Sequence, residues 1–225
     1  MVAGQYLALF ATVLGVATHA QETTLASATL ANEPATAFVY VPSTTVEGAI
    51  STGASSTTSL RTSIYFPALA GMGISQSAFT LAPCALRSPH IHQRAAGLLY
   101  AYDAASLEVG FVTENGTAVS NTISSGASAV FPQGLIHYQF NSGCTNATYT
   151  ISYGSELPGT QVVTQALLAL PNDVLAASLG IPTSAVGQLA GQVPSNKFVG
   201  GVADCEARCA NSTDSASAMA GRKLI

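Results

Sequence analysis

Charge is scarce in this 225-residue chain: seven Lys and Arg stand against eleven Asp and Glu, for a net charge of -4. No cluster of Lys and Arg exists to grip phosphates, which excludes nucleic acid as an expected partner. Tryptophan is absent. Beyond the first twenty residues no apolar run is long enough to cross a bilayer, so no membrane segment is expected in the remainder. Histidine and cysteine number only four each, so the position of each one carries information. What is abundant is small: Ala, Thr, Ser and Gly, which suit strands joined by short loops. The length suits one globular domain with extensions at either end.

Residues 1–20 read as a secretory signal peptide. The apolar run from Tyr6 to Val16 has the length of an h-region, and Thr18-His19-Ala20 places small residues at -3 and -1. The n-region has no Lys or Arg. A secreted, extracellular protein that is free of the membrane after cleavage is therefore expected. An even set of four cysteines, Cys84, Cys144, Cys205 and Cys209, suits an oxidising compartment. Three glycosylation sequons begin at Asn115, Asn146 and Asn211.

Residues 21–36 show no period and form a flexible lead-in. Strand character is expected at 37–41 and 62–66, with a Ser/Thr/Gly-rich loop at 43–58. From Ser75 the strand signals come quickly, at 78–81, 90–92, 98–102, 107–113, 118–123, 129–131, 135–140 and 147–153. Asn115-Gly116 marks a hairpin turn, because both residues tolerate positive φ. Short strands at near-regular spacing predict a mainly β sandwich or barrel. A further short strand is expected around 161–168. Helices follow from about 171 to 179, where Asn172 or Asp173 can cap and Gly180 suits the C′ position. Others are expected at 182–191 and 203–210. This gives a main unit over 37–200 and a cysteine-containing tail over 201–225, polar and frayed from Asn211.

Apart from His19 in the leader, every histidine lies in two stretches: Pro89-His90-Ile91-His92 and Phe131-Pro132-Gln133-Gly134-Leu135-Ile136-His137. On a strand, His90 and His92 project from the same face. A third imidazole from a distant strand, His137, can complete one face of a metal site. The alternative is three histidines kept as hydrogen-bonded polar core.

The spacing Gly126, five residues, Pro132-Gln133-Gly134, two residues, His137, three residues, Asn141 resembles the second germin-type cupin motif at every defined position. Pro89-His90-Ile91-His92-Gln93-Arg94-Ala95 resembles the first motif, and Val109-Gly110-Phe111-Val112 the germin strand that follows it. Ser155-Glu156-Leu157-Pro158-Gly159-Thr160 and Leu170-Pro171-Asn172-Asp173-Val174-Leu175 are similar to germin segments after the core. Cys84, Cys144 and the Cys205-Glu206-Ala207-Arg208-Cys209 run resemble the fungal and slime-mould spherulin branch. The resemblance covers roughly residues 40 to 210.

This resemblance implies a cupin double-stranded β-helix, a jelly-roll barrel with short C-terminal helices. It implies one interior transition metal, manganese in the family, held by His90, His92 and His137. The family's fourth ligand, a glutamate, falls on Gly97, and the glycine closing the first motif is replaced by Ala104. Three imidazoles without a carboxylate favour Zn, Cu or Ni over Mn. Neither Asp103 nor Glu108 sits at the family position. Gln139, two residues from His137, can face the same interior as a weak oxygen ligand or a supporting partner. Arg94 could receive an anionic substrate, and a surface or subunit-contact role is favoured for it.

Cys84 and Cys144 flank motifs that lie on adjacent strands of a jelly roll, so Cys84–Cys144 is the preferred bridge, with Cys205–Cys209 local. Four cysteines allow three connectivities. The resemblance also implies a homo-oligomer and an extracellular role in cell wall, spore coat or stress-associated matrix. A germin-type oxidoreductase acting on oxalate or superoxide is the second reading, and a metal-free structural or carbohydrate-binding jelly roll the third. Fold does not choose between them.

Overall fold

The computed structural model describes residues 33–42 and 47–211. The expected signal peptide, most of the lead-in and the tail beyond residue 211 lie outside the described residues. Among the described residues twelve strands make two antiparallel sheets. The first contains β1 (Ile50–Thr52), β2 (Ser56–Arg61), β3 (Ser75–Leu81), β10 (Ala147–Tyr153), β5 (Gly97–Asp103) and β8 (Ser128–Phe131), in that spatial order. The second contains β11 (Gln161–Val162), β4 (Leu86–Ile91), β9 (His137–Asn141), β6 (Leu107–Val112) and β7 (Ala118–Ile123), and β12 (Phe198–Val199) adds to β4. The jelly-roll architecture is the one expected.

Alternation builds the core. On β3 the buried positions are Ser75, Ser77, Phe79 and Leu81. On β5 Gly97, Leu99 and Ala101 face inward while Leu98 and Tyr100 are exposed. β10 contributes Ala147, Tyr149, Ile151 and Tyr153. These side chains interleave with Leu107, Val109 and Phe131 into one apolar cluster. At about 1.5–3 kcal/mol for each large apolar side chain, this burial is the main stabilising term. Gly110 on β6 is needed for close approach: a Cβ there would stand 2.7 Å from the Tyr138 ring and 2.8 Å from the Val119 carbonyl. Tyr138 instead lies over β6 and donates to Glu108 Oε1 at 2.5 Å.

Several local expectations are corrected. The range 43–58, expected as a loop, holds β1 and the start of β2: Ser56, Thr57 and Thr58 pair with β3 as readily as apolar residues do, and β1 pairs with β2. Residues 37–41 are not a strand, and Ala35–Phe38 is a 3-10 turn. Residues 62–66 are a turn that leads to a second 3-10 turn at Pro67–Leu69, where Pro67 ends any extended run. The strand expected over 161–168 lasts two residues before α1 (Val163–Leu168) takes over. The helices α2 (Asn172–Leu179), α3 (Thr183–Gln192) and α4 (Ala203–Ala210) follow. Gly180 does close α2 in the left-handed conformation, φ 66°. Its start has Pro171 at the cap position with no side-chain cap, while Asp173 sits in the first turn, where a negative charge suits the helix dipole.

The disulfide pairing also differs from expectation. The bridges are Cys84–Cys205 and Cys144–Cys209, with Cα–Cα distances of 5.5 and 5.3 Å. The reason is helical. Cys205 and Cys209 are four residues apart on α4 and share one face. That face lies on the barrel, where Arg208 donates to the Ser142 carbonyl. Each helix cysteine therefore takes one barrel cysteine. The two bridges lie side by side, with the Sγ atoms of Cys84 and Cys209 3.8 Å apart. Peptide mapping of the unreduced protein is expected to yield Cys84–Cys205 and Cys144–Cys209 as the linked pairs. Replacing Cys84 and Cys205 together by Ser opens a link across 121 residues and is expected to cost about 2–5 kcal/mol in urea unfolding.

Candidate metal centre

β4 and β9 are neighbours, and their register sets His90 directly opposite His137. His92 follows one residue after the end of β4, two positions from His90, on the same inward face. The three rings converge, with centroids 4.2 Å apart for His90–His137, 5.1 Å for His90–His92 and 5.1 Å for His92–His137. One ligand nitrogen from each ring lies within 4.8 Å of the others, and all three residues are buried.

The ring orientations are fixed from behind. His90 Nδ1 lies 2.8 Å from the Ser88 carbonyl and His137 Nδ1 2.9 Å from the Leu135 carbonyl. His92 Nδ1 meets the Gly159 carbonyl. A carbonyl can only accept, so each Nδ1 carries the proton and each Nε2 presents a lone pair. The Nε2 atoms of His92 and His137 are buried with no hydrogen-bond partner. That arrangement fits a metal: neutral imidazoles, fixed tautomers and unpartnered donor atoms aimed at a common point. Burial holds all three rings neutral. It pushes His92 and His137 down to about 4 from an ordinary 6.5, and His90 well below 6.5 with Arg87 adding to the effect.

The fit is incomplete on the oxygen side. Gly97 faces inward on β5, but a Cβ there would lie 3.0 Å from Ile151 Cγ2, 3.6 Å from Tyr153 and 3.7 Å from Phe131. Hydrocarbon stands against the position from which the family's carboxylate would extend. Asp103 is exposed at the end of β5, and Glu108 is engaged with Tyr138 and Ser120 across the sheet. Neither joins the histidines. Gln139 does face the interior: it is fully buried, and neither of its side-chain polar atoms has a partner. Asn141, the last position of the second motif, is structural. Its Nδ2 is within 3.1 Å of the Leu81, Ala82 and Thr145 carbonyls, and its Oδ1 accepts from Gly143 N. Gln133 and Gly134 tie the two motifs together by donating to the carbonyls of Gln93 and His92. Arg94 donates to the Leu157 carbonyl at 2.6 Å, which pins the loop that carries Gly159.

The residue that sequence reasoning missed is Arg87. It is 6 % exposed, and its Nε donates to His90 Nε2 at 3.3 Å. Its guanidinium lies over Phe79 and Phe198, at 5.1 and 4.8 Å. Burial lowers its pKa from the ordinary guanidinium value while the phenols of Tyr149 and Tyr153 act to raise it. Three residues before His90, it should face outward. A bulge brings it in: β4 advances three residues from Arg87 to His90 while β9 advances two from Gln139 to His137. Pro89 inside the strand was the available signal, because proline within a sheet is confined to edges and bulges.

Aromatic rings wall the triad. Phe131 stacks on His137 at 4.7 Å, and Tyr153 meets His92 at 4.7 Å. Phe131 also lines a cleft of about 430 Å³ with Phe111, Val119, Asn121 and Ser128.

A sequence model of the cupin family matches residues 47–186. The chain belongs to the cupin family. This cupin is 36% identical over 132 residues to a putative germin-like protein 3-2 of Oryza sativa subsp. japonica, which covers 57% of this chain and 59% of the relative. It is 35% identical over 137 residues to nectarin-1 of Nicotiana plumbaginifolia, covering 59% of each chain. The cupin thus spans about 59% of the length of these relatives. Its structure matches that of an oxalate oxidase with a TM-score of 0.63 at 26% identity, covering 72% of this chain and 82% of the other. It shares the fold of Bacillus subtilis oxalate decarboxylase, with a TM-score of 0.62 at 21% identity, covering 72% of this chain and 40% of the other.

The depressed histidine pKa values give a pH dependence. Between about 6.5 and 4 the unfolded chain binds protons at His92 and His137 that the folded barrel refuses. Stability is then complete above about 6.5 and falls as the pH drops toward 4. Each ring contributes on the order of a few kcal/mol to that loss. Urea unfolding of the metal-free protein at pH 7.5, 5.5 and 4.5 checks it, and His137→Ala is expected to flatten the slope.

Proposed function

We propose that this cupin is a secreted germin-like protein that holds a transition metal through Nε2 of His90, His92 and His137. The observation that carries the reading is the convergence of three neutral imidazoles whose Nδ1 atoms are all held by carbonyls, with two Nε2 atoms buried and unpartnered. The germin-like relatives and the oxalate oxidase likeness support it. A bound metal would supply Lewis-acid or redox chemistry, and the chain would supply the three nitrogen ligands and an aromatic wall that limits water. Manganese enters by likeness: Bacillus subtilis oxalate decarboxylase has Mn(II) centres. The donor set here, three nitrogens and no carboxylate, favours zinc, copper or nickel.

The role we assign is extracellular, in cell wall, spore coat or stress-associated matrix, with assembly into a homo-oligomer. Secretion rests on the leader, and the sequons at Asn115, Asn146 and Asn211 suit it, since all three asparagines are exposed. Among the described residues no single helix is long and apolar enough to cross a membrane. The relatives named above are plant proteins, so placement in a fungal and slime-mould branch rests on the cysteine pattern alone. A second reading, a metal-free structural barrel, is favoured by the bond from Arg87 to His90 Nε2. Oxidation of oxalate or superoxide ranks lower, because the carboxylate ligand is lost.

Elemental analysis of the purified protein is expected to find near-stoichiometric metal, with zinc or copper above manganese, and His137→Ala is expected to lose it. Little metal in both proteins would select the structural barrel. Gly97→Glu is expected to lower stability by about 1–3 kcal/mol through collision with Ile151, without raising the manganese content. Thermal unfolding and metal analysis of that variant check both effects.

A further inference from the structure

The cysteine sulfurs form one cluster between α4 and the barrel. The Sγ atoms of Cys84, Cys205 and Cys209 all lie within 4.8 Å of one another. Cys84 is bonded to Cys205, while its Sγ stands 3.8 Å from that of Cys209, which is bonded to Cys144. The two bridges differ in access. Cys84 and Cys205 are buried, whereas Cys144 and Cys209 are half-buried. Cys144 adjoins the exposed Thr145 and Asn146 in the loop before β10. The inner bridge is also fixed in place. Cys84 holds φ 58°, the one positive φ at a non-glycine residue among those described, and such a conformation persists where its surroundings over-determine it. Its carbonyl accepts from the backbone N–H of Val202, just ahead of α4. Arg208 Nη2 lies 3.3 Å from Cys205 Sγ and also donates to the Ser142 carbonyl.

We propose that the paired bridges are a thiol-exchange site: a small thiol taken up at Cys144 moves the bridge at Cys84 from Cys205 to Cys209. Two displacements carry it. The incoming thiolate attacks Cys144 Sγ, forms a mixed disulfide there and breaks the Cys144–Cys209 bond, so Cys209 leaves as a thiolate. That thiolate attacks Cys84 Sγ, forms Cys84–Cys209 and breaks Cys84–Cys205, so Cys205 leaves as a thiolate in turn. One thiolate is consumed and one is released, so no oxidant or reductant is needed. Arg208 gives the exchange its direction. A guanidinium beside a sulfur favours the thiolate, and a stabilised thiolate is the better leaving group. Cys205 and Cys209 sit about one helical turn apart, so α4 stays tied to Cys84 throughout. The thiol must be small because the outer bridge is only half-exposed.

Glutathione in limiting amount, added to the folded full chain, tests this. After an acid quench and alkylation, peptide mapping is expected to find glutathione on Cys144, a Cys84–Cys209 link and the alkyl group on Cys205. Arg208→Gln is expected to slow the appearance of that link about tenfold. Glutathione on Cys144 with the alkyl group on Cys209 and Cys84–Cys205 intact overturns the proposal, as does a folded chain that takes up no glutathione. A mixture that also holds Cys84–Cys144 and Cys205–Cys209 overturns it too, since an opened chain samples all three connectivities. An unchanged rate in Arg208→Gln overturns the part given to Arg208. If that variant does not fold, the map of the parent decides the exchange by itself.

Discussion

The antiparallel pairing of β4 with β9 is the constraint on which the candidate site depends. It places His90 opposite His137, carries His92 to the same face, and through one extra residue at Pro89 turns Arg87 inward against Gln139. Each of these consequences follows from side-chain alternation once the register is set. A slip of one residue would send the imidazoles to solvent. The register is held at both ends. Asn141 donates to carbonyls at the end of β3 and in the loops that hold Cys84 and Cys144, while Gly134 and Gln133 bind the backbone at His92 and Gln93. The residues of the second motif thus act mainly as backbone fasteners around a single ligand, His137.

Packing and charge pull this interior in different directions. The apolar cluster of β3, β5 and β10 extends up to the histidines, and Gly97 is accommodated by closing Ile151 and Tyr153 over it. Hydrocarbon from Ile151, Tyr153 and Phe131 thus stands against the position from which the family's glutamate would extend. Loss of its negative charge has not been absorbed. Arg87 remains, with phenols and aromatic faces around it. At an effective dielectric near 20, unit charges about 4 Å apart interact by about 4 kcal/mol. With its Nε 3.3 Å from His90 Nε2, the Arg87 guanidinium opposes any cation held at that atom.

Much of this was legible in the sequence. The period-two histidine pair, the turn at Asn115-Gly116 and the stop at Gly180 each depend on local rules, while the spacing that ends in His137 and Asn141 was legible through its resemblance to the family motif. What escaped depends on partners distant in sequence. β2 is built of Ser and Thr, and only the neighbouring β3 makes it a strand. The disulfide partners follow from the packing of α4, which places Cys205 and Cys209 side by side rather than facing each other. Arg87 was hidden by parity, since the bulge that reverses its direction is a two-strand property. Pro89 was its only trace.

The three ligand rings are not held alike, and this decides which of them reports on the rest of the molecule. His90 bonds to the Ser88 carbonyl on its own strand, and His137 to the Leu135 carbonyl in the turn that leads into β9, so both are held by backbone two residues earlier. His92 bonds to Gly159, 67 residues away. That loop is tightly fitted. Gly159 has φ 71°, and a Cβ there would stand 2.6 Å from Gln93 Oε1 and 3.1 Å from Arg94 Nη2. Arg94 in turn holds the Leu157 carbonyl. A change in the 155–160 loop therefore reaches the triad through His92 first. Conversely, any ion that fixes the His92 ring also fixes the loop leading into β11 and the helices. The arginine beside the first motif, read from sequence as a surface contact, acts on the centre only at this remove.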